Sequence, residues 1–247
     1  MEQSTLAEPE AKPVRQIPKT RWWKRPWVVP LWAICAIFFV WRVPNYLGFT
    51  PENSLVELRS ETHYLLLSGH IVIGTVALSA CCLQVWPWLR QNHPKVHRVS
   101  GRIYVAAVLP GSVLALTSSV MSVVPIPGRV GNVMLSVLWL GTTLTGFYMA
   151  RNRRFAEHRR WMIRSFALCF SIVVSRLWIG IWFAALTPFS DTHYNGDMDA
   201  LAGDLAVGAI WCSWVVNLLI AEWWIERGRR PRKRPVKKAP APAEVGV

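Results

Sequence analysis

Titratable side chains interrupt several apolar runs of this sequence that are long enough to cross a membrane, and two of them stand out. His70 lies in the run from 64 to 89, and Arg176 lies in the run from 161 to 186. An ionisable group near the centre of a membrane helix costs roughly 2.5 to 3.5 kcal/mol on insertion scales, so it is rarely present without a partner or a function. His70 and Arg176 are therefore the first candidates for binding or proton chemistry.

The spacing of the polar residues predicts that they share one face of each helix and that this face points into the interior of a helix bundle. His63, His70 and Gln84 are separated by 7 and 14 residues, which at about 3.6 residues per turn places them within about 40° of one another. His158 and Arg176 are 18 residues apart, which is about five full turns. We expect Arg176 to face the interior near the depth of His70.

Two short motifs at one predicted membrane face add further imidazole and guanidinium groups. The first reads His97-Arg98-x-x-Gly101-Arg102-x-Tyr104, and the second reads His158-Arg159-Arg160-Trp161-Met162-x-Arg164-Ser165. Neutral imidazoles from facing helices can ligate haem iron, and arginines can neutralise the haem propionates. The two motifs therefore predict a haem b site at this face.

The predicted cofactor-binding set combines the residues of the runs and the motifs. It consists of His70, His97, His158, Gln84, Arg98, Arg102, Arg164 and Arg176, with His70, His97 and His158 as the candidate iron ligands. A haem at the opposite face would have His70 as one iron ligand but lacks a second one, because His63 lies on the same helix and His193 lies in a link. A quinone is the other redox ligand that these donors could bind.

Six apolar runs supply the elements that must position these groups. Hydrophobic residues make up 52% of the chain, and the mean hydropathy is +0.25. A bilayer core about 30 Å thick requires roughly 20 mostly apolar residues in a helix, and these runs are too continuous for barrel strands. They are 27–49, 64–89, 103–124, 130–150, 161–186 and 205–225. The predicted fold class is an all-α, polytopic six-transmembrane-helix bundle, with the second to fifth helices forming a polar-lined core and the first helix more peripheral.

The positive charges are concentrated on alternate links between the runs. The net charge is +14, yet on one predicted side only Arg59 and Arg129 are basic outside the helices. This distribution follows the positive-inside rule and predicts that both termini are cytoplasmic. The charge is therefore a sign of topology in a bacterial-type plasma membrane, with the lipid bilayer as the partner, and not of nucleic-acid binding.

The rest of the chain predicts one membrane domain between two tails. Residues 1–20 are polar and predict a disordered cytoplasmic tail, residues 21–226 predict the single membrane domain, and residues 227–247 are basic and Pro/Ala-rich. The first apolar run has no small-residue cleavage site after it, so we expect it to be retained as a helix. All five cysteines fall inside predicted helices without a C-x-x-C spacing, which is typical of small buried apolar residues.

The polar motifs together resemble those of one known family. The resemblance depends on His70 with Gly74, on Gln84 followed by Leu89-Arg90, and on the two motifs that begin at His97 and His158. On these residues the chain resembles the mainly bacterial membrane proteins catalogued as domain of unknown function 2306, over about residues 60–225. The resemblance implies a multi-pass membrane protein and implies no particular activity.

Three classes of function are compatible with these features. The leading hypothesis is a membrane redox protein that binds haem b or a quinone, and it predicts a cofactor-sized cavity near a membrane face. A proton-coupled small-molecule transporter or channel predicts instead a continuous polar path between the faces. A non-catalytic scaffold or assembly protein predicts neither, and His97 and His158 would then cap helices or bind lipid phosphate. No hydrolase motif is present, and the sequence indicates no catalytic residue.

Overall fold

The described chain is built from α-helices alone. The computed structural model describes residues 28–47, 52, 54 and 57–228, so the predicted tail 1–20 and nearly all of the predicted tail 227–247 lie outside the described residues. The helices are α1 (Val28–Arg42), α2 (Pro44–Leu47), α3 (Glu61–Gln84), α4 (Pro87–Asn92), α5 (Pro94–Met121), α6 (Ile126–Arg151), α7 (Phe155–Leu186) and α8 (Met198–Arg227), with a 3-10 turn at Thr187–Phe189.

Five helices of the described part are long and apolar enough to cross a membrane: α3, α5, α6, α7 and α8. They correspond to the second to sixth predicted runs, and the all-helical fold class is confirmed. The first run differs, because α1 has 15 residues and is followed by the separate helix α2. Pro44 disfavours helical backbone at the residue before it and cannot continue the hydrogen bonds of α1. A sixth crossing stays a prediction.

The outward faces of the long helices are apolar. Only 22 to 33% of each apolar window is buried inside the protein, and large hydrophobic side chains such as Val120, Leu144, Ile181 and Leu219 are exposed. Soluble proteins rarely leave so much contiguous apolar surface in contact with water. The natural environment of these faces is lipid.

Four of the long helices form the central bundle. Helix α3 packs against α5, α5 against α6 and α6 against α7, while α7 also contacts α3. Helix α8 packs against α7 and α6, and α1 lies at the periphery against α3 and α7. The predicted arrangement, with the second to fifth runs at the centre and the first run outside them, agrees with this packing.

The links divide between two ends of the bundle because the long helices alternate in direction. We call the end with links 57–60, 122–125 and 187–197 the acidic end, and the end with links 85–93 and 152–154 the basic end. At the acidic end, Ser60 accepts from the His63 N–H at 3.2 Å. Asp197 accepts from the N–H groups of Asp199 and Ala200 at 3.0 Å. These side chains satisfy N–H groups of the first turns of α3 and α8, which have no partner within the helix.

The helix directions generate a labelling prediction. In a background with the native cysteines replaced by alanine, we expect cysteines at Arg59 and Asn195 to react with an impermeant maleimide from one side of sealed vesicles. Cysteines at Gln91 and Arg153 should react only from the other side, because the α3 and α7 helices separate the two pairs. Labelling of Arg59 and Arg153 positions from the same side would contradict the arrangement.

Candidate functional site

A cavity of about 440 Å³ lies inside the half of the bundle nearer the acidic end. This volume falls within the range of small-molecule sites, which is roughly 300 to 1,000 Å³. Apolar and polar residues share the lining, and its polar members are Arg42, Tyr46, His63, His70, Thr75, Ser118, Ser119, Ser122, Asn132, Ser136, Trp139, Cys169, Ser171, Ser175, Arg176 and Ser213. The cavity thus combines an apolar wall with hydrogen-bonding and cationic groups.

His70 is held in one ring orientation at the cavity wall. Its Nδ1 atom lies 2.9 Å from the carbonyl oxygen of Gly111 on α5. Because a carbonyl oxygen only accepts, Nδ1 must carry the hydrogen, and Nε2 of the neutral ring keeps its lone pair. The ring also makes an edge contact with Trp139, with 6.5 Å between the centroids. His70 therefore presents a proton acceptor or a metal ligand in a fixed position.

Arg176 lies in the bundle interior and lines the same cavity as His70, as the helical spacing predicts. Its Nε atom is buried and has no hydrogen-bond partner in the protein. Asp204 of α8 is not among the residues that line the cavity and accepts from the Tyr194 hydroxyl at 3.0 Å. A guanidinium group stays protonated at any accessible pH, so a buried unpaired one is costly. An electron-rich oxygen of a ligand would satisfy it.

A second guanidinium group adds to the positive charge of the cavity. Arg42, the last residue of α1, also lines it, and none of the described lining residues is an aspartate or glutamate. Two cations without a carboxylate favour a ligand that has, or develops, negative charge on oxygen.

A hydrogen-bonded layer at mid-depth ends the cavity. The Trp139 Nε1–H donates to the Tyr104 hydroxyl at 3.0 Å, and that hydroxyl lies 2.6 Å from the Ser165 Oγ. Ser165 Oγ is in turn 2.7 Å from Thr143 Oγ1. Tyr104, Ser165 and Thr143 are fully buried. This layer joins α5, α6 and α7 and separates the cavity from the basic end.

Gln84 and His97 lie beyond this layer, and their contacts join α3 to α5. The Gln84 Nε2 donates to the His97 carbonyl oxygen at 2.8 Å and to the Ser100 hydroxyl at 2.6 Å. The His97 ring is half-buried, and its Nδ1 has no hydrogen-bond partner. Arg98 and Arg102 are exposed at the surface of the same helix.

His158 and Arg164 occupy the same end on α7, and Arg164 already has an acidic partner. The His158 Nδ1 donates to the Gly146 carbonyl oxygen at 2.8 Å, which again leaves Nε2 with the lone pair. Arg164 forms a two-point ion pair with Glu222 of α8, at 2.5 and 2.8 Å, and lies 4.7 Å from the Trp161 ring centroid. This ion pair links α7 to α8 and neutralises the charge that a haem propionate would otherwise meet.

The structure thus divides the eight residues of the predicted set into two groups. His70 and Arg176 share the cavity, while Gln84, His97, Arg98, Arg102, His158 and Arg164 lie toward the basic end. The described residues contain no cluster of three or more His, Cys, Asp or Glu side chains that could hold a metal ion. His97 and His158 are close enough to interact electrostatically.

Several lining residues were absent from the predicted set. Arg42, Asn132 and Trp139 line the cavity beside His70. The signal for Arg42 was present in the sequence, because this arginine also lies inside an apolar run. Asn132 and Trp139 carry no such signal, since single amide and indole groups are common in membrane helices that serve only for packing.

Comparison with known proteins gives one match. Residues 67–225 match the family model described as "Predicted membrane protein (DUF2306)". This segment contains α5, α6, α7, and most of α3 and α8, and it contains both His70 and Arg176. The searches of curated proteins and of solved structures found no match.

The mid-depth layer generates a stability prediction. Tyr104→Phe removes a hydroxyl that accepts from Trp139 and contacts Ser165, so two buried polar groups lose a partner. We expect a loss of about 1 kcal/mol in the free energy of unfolding, measured by denaturant titration in detergent micelles. Tyr148→Phe is the matched control, because Tyr148 is 62% exposed. Equal effects of the two substitutions would contradict a structural role for the layer.

Proposed function

We propose that this chain, which belongs to the DUF2306 family of predicted membrane proteins, is a redox protein that binds a quinone or quinol in the cavity of its acidic half. One observation carries the proposal. His70, with its ring oriented by the Gly111 carbonyl, and Arg176, with a buried Nε that has no partner, line the same cavity.

The two groups suit the two oxygens of a quinol. A hydroxyl on one side of the ring would donate a hydrogen bond to the His70 Nε2, which can take up its proton. The oxygen on the other side accepts from Arg176, whose charge stabilises negative charge that develops there. The apolar lining residues, such as Leu67, Ile71 and Leu135, pack against the ring and the start of its tail.

The shape of the cavity favours binding over passage. A transporter or channel needs a polar path between both faces, but the polar lining ends at the layer of Tyr104, Ser165 and Thr143. A scaffold has no need for a cavity lined by a guanidinium group with a buried Nε that has no partner. A redox ligand held in one half of the membrane accounts for both features.

The histidine pair at the basic end supports haem b as a second candidate ligand. His158 donates its Nδ1–H to a backbone carbonyl, the arrangement that usually orients a metal-bound imidazole, and His97 lies near it on α5. When bound there, haem would supply one-electron transfer. The acidic half does not fit a bis-histidine haem, because its two lining histidines, His63 and His70, lie on one helix.

We further propose a six-crossing topology in a plasma membrane of the bacterial type. The basic end would face the cytoplasm together with both termini, and the first apolar run, which contains α1, would form the first crossing. The basic links and the paucity of Lys and Arg at the acidic end support this orientation. In intact cells, the cysteines at Arg59 and Asn195 would then be the pair that an impermeant maleimide labels.

Ligand binding tests the quinol site directly. We expect the purified chain to bind a short-tailed ubiquinol or menaquinol, measured by equilibrium dialysis and chromatography of the extracted ligand. His70→Phe and Arg176→Leu should each weaken binding at least about tenfold, or ~1.4 kcal/mol, because each removes one hydrogen bond to a ring oxygen. Arg176→Lys should weaken binding less, because the charge remains and only the planar fork is lost.

Arg102→Leu is the control for this experiment, because Arg102 is exposed at the basic end and its loss should leave the dissociation constant unchanged. Absence of quinol binding by the folded wild-type chain, or an equal loss in the control, would refute the proposed site.

A visible spectrum tests the haem candidate. Protein expressed with ample haem precursor should show a Soret band and the sharp reduced-minus-oxidised bands of low-spin haem. His97→Ala or His158→Ala should abolish these bands, while His70→Ala should leave them intact because His70 lies in the other half of the bundle. A colourless, folded preparation would eliminate haem and leave the quinol site unaffected.

A further inference from the structure

Two thiol groups from different helices are in contact at the side of the bundle. The Sγ atoms of Cys35 on α1 and Cys82 on α3 are 3.4 Å apart, and both side chains are completely buried. The two residues are 47 positions apart in the chain, so the fold brings them together. A disulfide bond is about 2.05 Å long, and a closing movement of about 1.4 Å lies within the range of side-chain rotation.

The helix that carries Cys35 also forms one wall of the cavity. Phe38 and Phe39, one turn further along α1, line the cavity together with Arg42. Helix α1 lies outside the segment 67–225 that matches the family. It packs at the periphery, against α3 and α7. A covalent bond between Cys35 and Cys82 would therefore fix this peripheral wall onto the family-matched bundle.

We propose that Cys35 and Cys82 form a redox-modification site, in which oxidation to a disulfide fastens α1 to α3 and restricts access to the cavity. The thiol pair is a site in its own right. Its effect on a bound ligand rests on the quinol site proposed above.

The oxidant is a small hydroperoxide that can enter the membrane. Both thiols are completely buried in the hydrophobic core, so a large or charged oxidant such as a soluble disulfide cannot reach them. In the first step one sulfur attacks the O–O bond: an S–O bond forms, the O–O bond breaks, and the thiol proton leaves with the resulting alcohol or water. The product is a sulfenic acid.

The second thiol completes the reaction. Its sulfur attacks the sulfenic sulfur, the S–S bond forms, and the S–O bond breaks as water leaves with the second thiol proton. Two thiols and one hydroperoxide thus yield one disulfide, one water and one alcohol, or two waters when hydrogen peroxide is the oxidant. The neighbouring thiol at 3.4 Å captures the sulfenic acid before further oxidation.

The other cysteines provide internal comparisons. Cys81 on α3 and Cys169 on α7 are also neighbours in the bundle. Cys212 lies half-buried on α8. Oxidation at the proposed site should consume two of the five thiols and leave these three free.

Peptide mapping tests the site in the full chain, purified in detergent and treated with hydrogen peroxide or tert-butyl hydroperoxide. We expect a cross-link between the Cys35 and Cys82 peptides by mass spectrometry without reduction, and a loss of two thiols in a maleimide gel-shift assay. Cys35→Ser and Cys82→Ser should each abolish the cross-link, while Cys212→Ser should retain it. Five free thiols after treatment, sulfinic acid at either position, or a Cys81–Cys169 cross-link in its place would overturn the proposal.

A second measurement tests the effect on the cavity. Oxidation should slow the release of bound quinol at least about tenfold in the wild-type chain, because α1 can no longer move away from α3. Dithiothreitol should restore the rate, and Cys35→Ser should show no change on oxidation. A cross-link in a chain that binds no quinol would refute the quinol site alone, whereas a cross-link that leaves quinol release unchanged would refute the control of access.

Discussion

Lipid offers no hydrogen bond, so every polar group within this bundle must find its partner in the protein or in a bound molecule. Most of the polar side chains obey this constraint locally. Ser79, Thr142 and Ser136, for example, donate to the carbonyl oxygen four residues earlier in their own helix. Polar groups that find no hydrogen-bond partner in their own helix must bond to another helix. These bonds hold the helices of the bundle together. The Arg176 Nε is one of several buried polar atoms among the described residues that have no hydrogen-bond partner, and it belongs to a charged group.

Both oriented histidines depend on a glycine in the neighbouring helix. His70 donates to the carbonyl oxygen of Gly111, and His158 donates to that of Gly146. At Gly111 an added Cβ would lie 3.3 Å from Ile73, and at Gly146 it would lie 2.7 Å from the Met162 sulfur. The absence of a side chain lets the helices approach closely there. In both imidazoles the Nδ1 atom is used in a hydrogen bond between two helices. The Nε2 atom is available to accept a proton or to bind a metal.

The two halves of the bundle differ in how the charges of their arginines are compensated. Toward the basic end, Arg164 is neutralised by Glu222, and the pair joins α7 to α8. In the acidic half, Arg42 and Arg176 line a cavity without a carboxylate. A buried cation that has no acid within the protein is retained at a cost in stability. A ligand with electron-rich oxygens offsets that cost, and for this reason the proposed function is assigned to the cavity and not to the more conspicuous arginine motifs at the surface.

The sequence by itself determined the membrane class, five of the helices and the interior position of Arg176, because these depend on local runs and on helical periodicity. It also indicated the family, which the matched segment 67–225 confirms. Only the tertiary structure decided that Arg176 shares a cavity with His70, that Gln84 joins two helices, and that Cys35 contacts Cys82. Periodicity tells which face of a helix turns inward but not which helix meets that face. Gln84 and His97 are 13 residues apart along the chain, and Cys35 and Cys82 are 47 apart. Their pairing depends on how the helices pack.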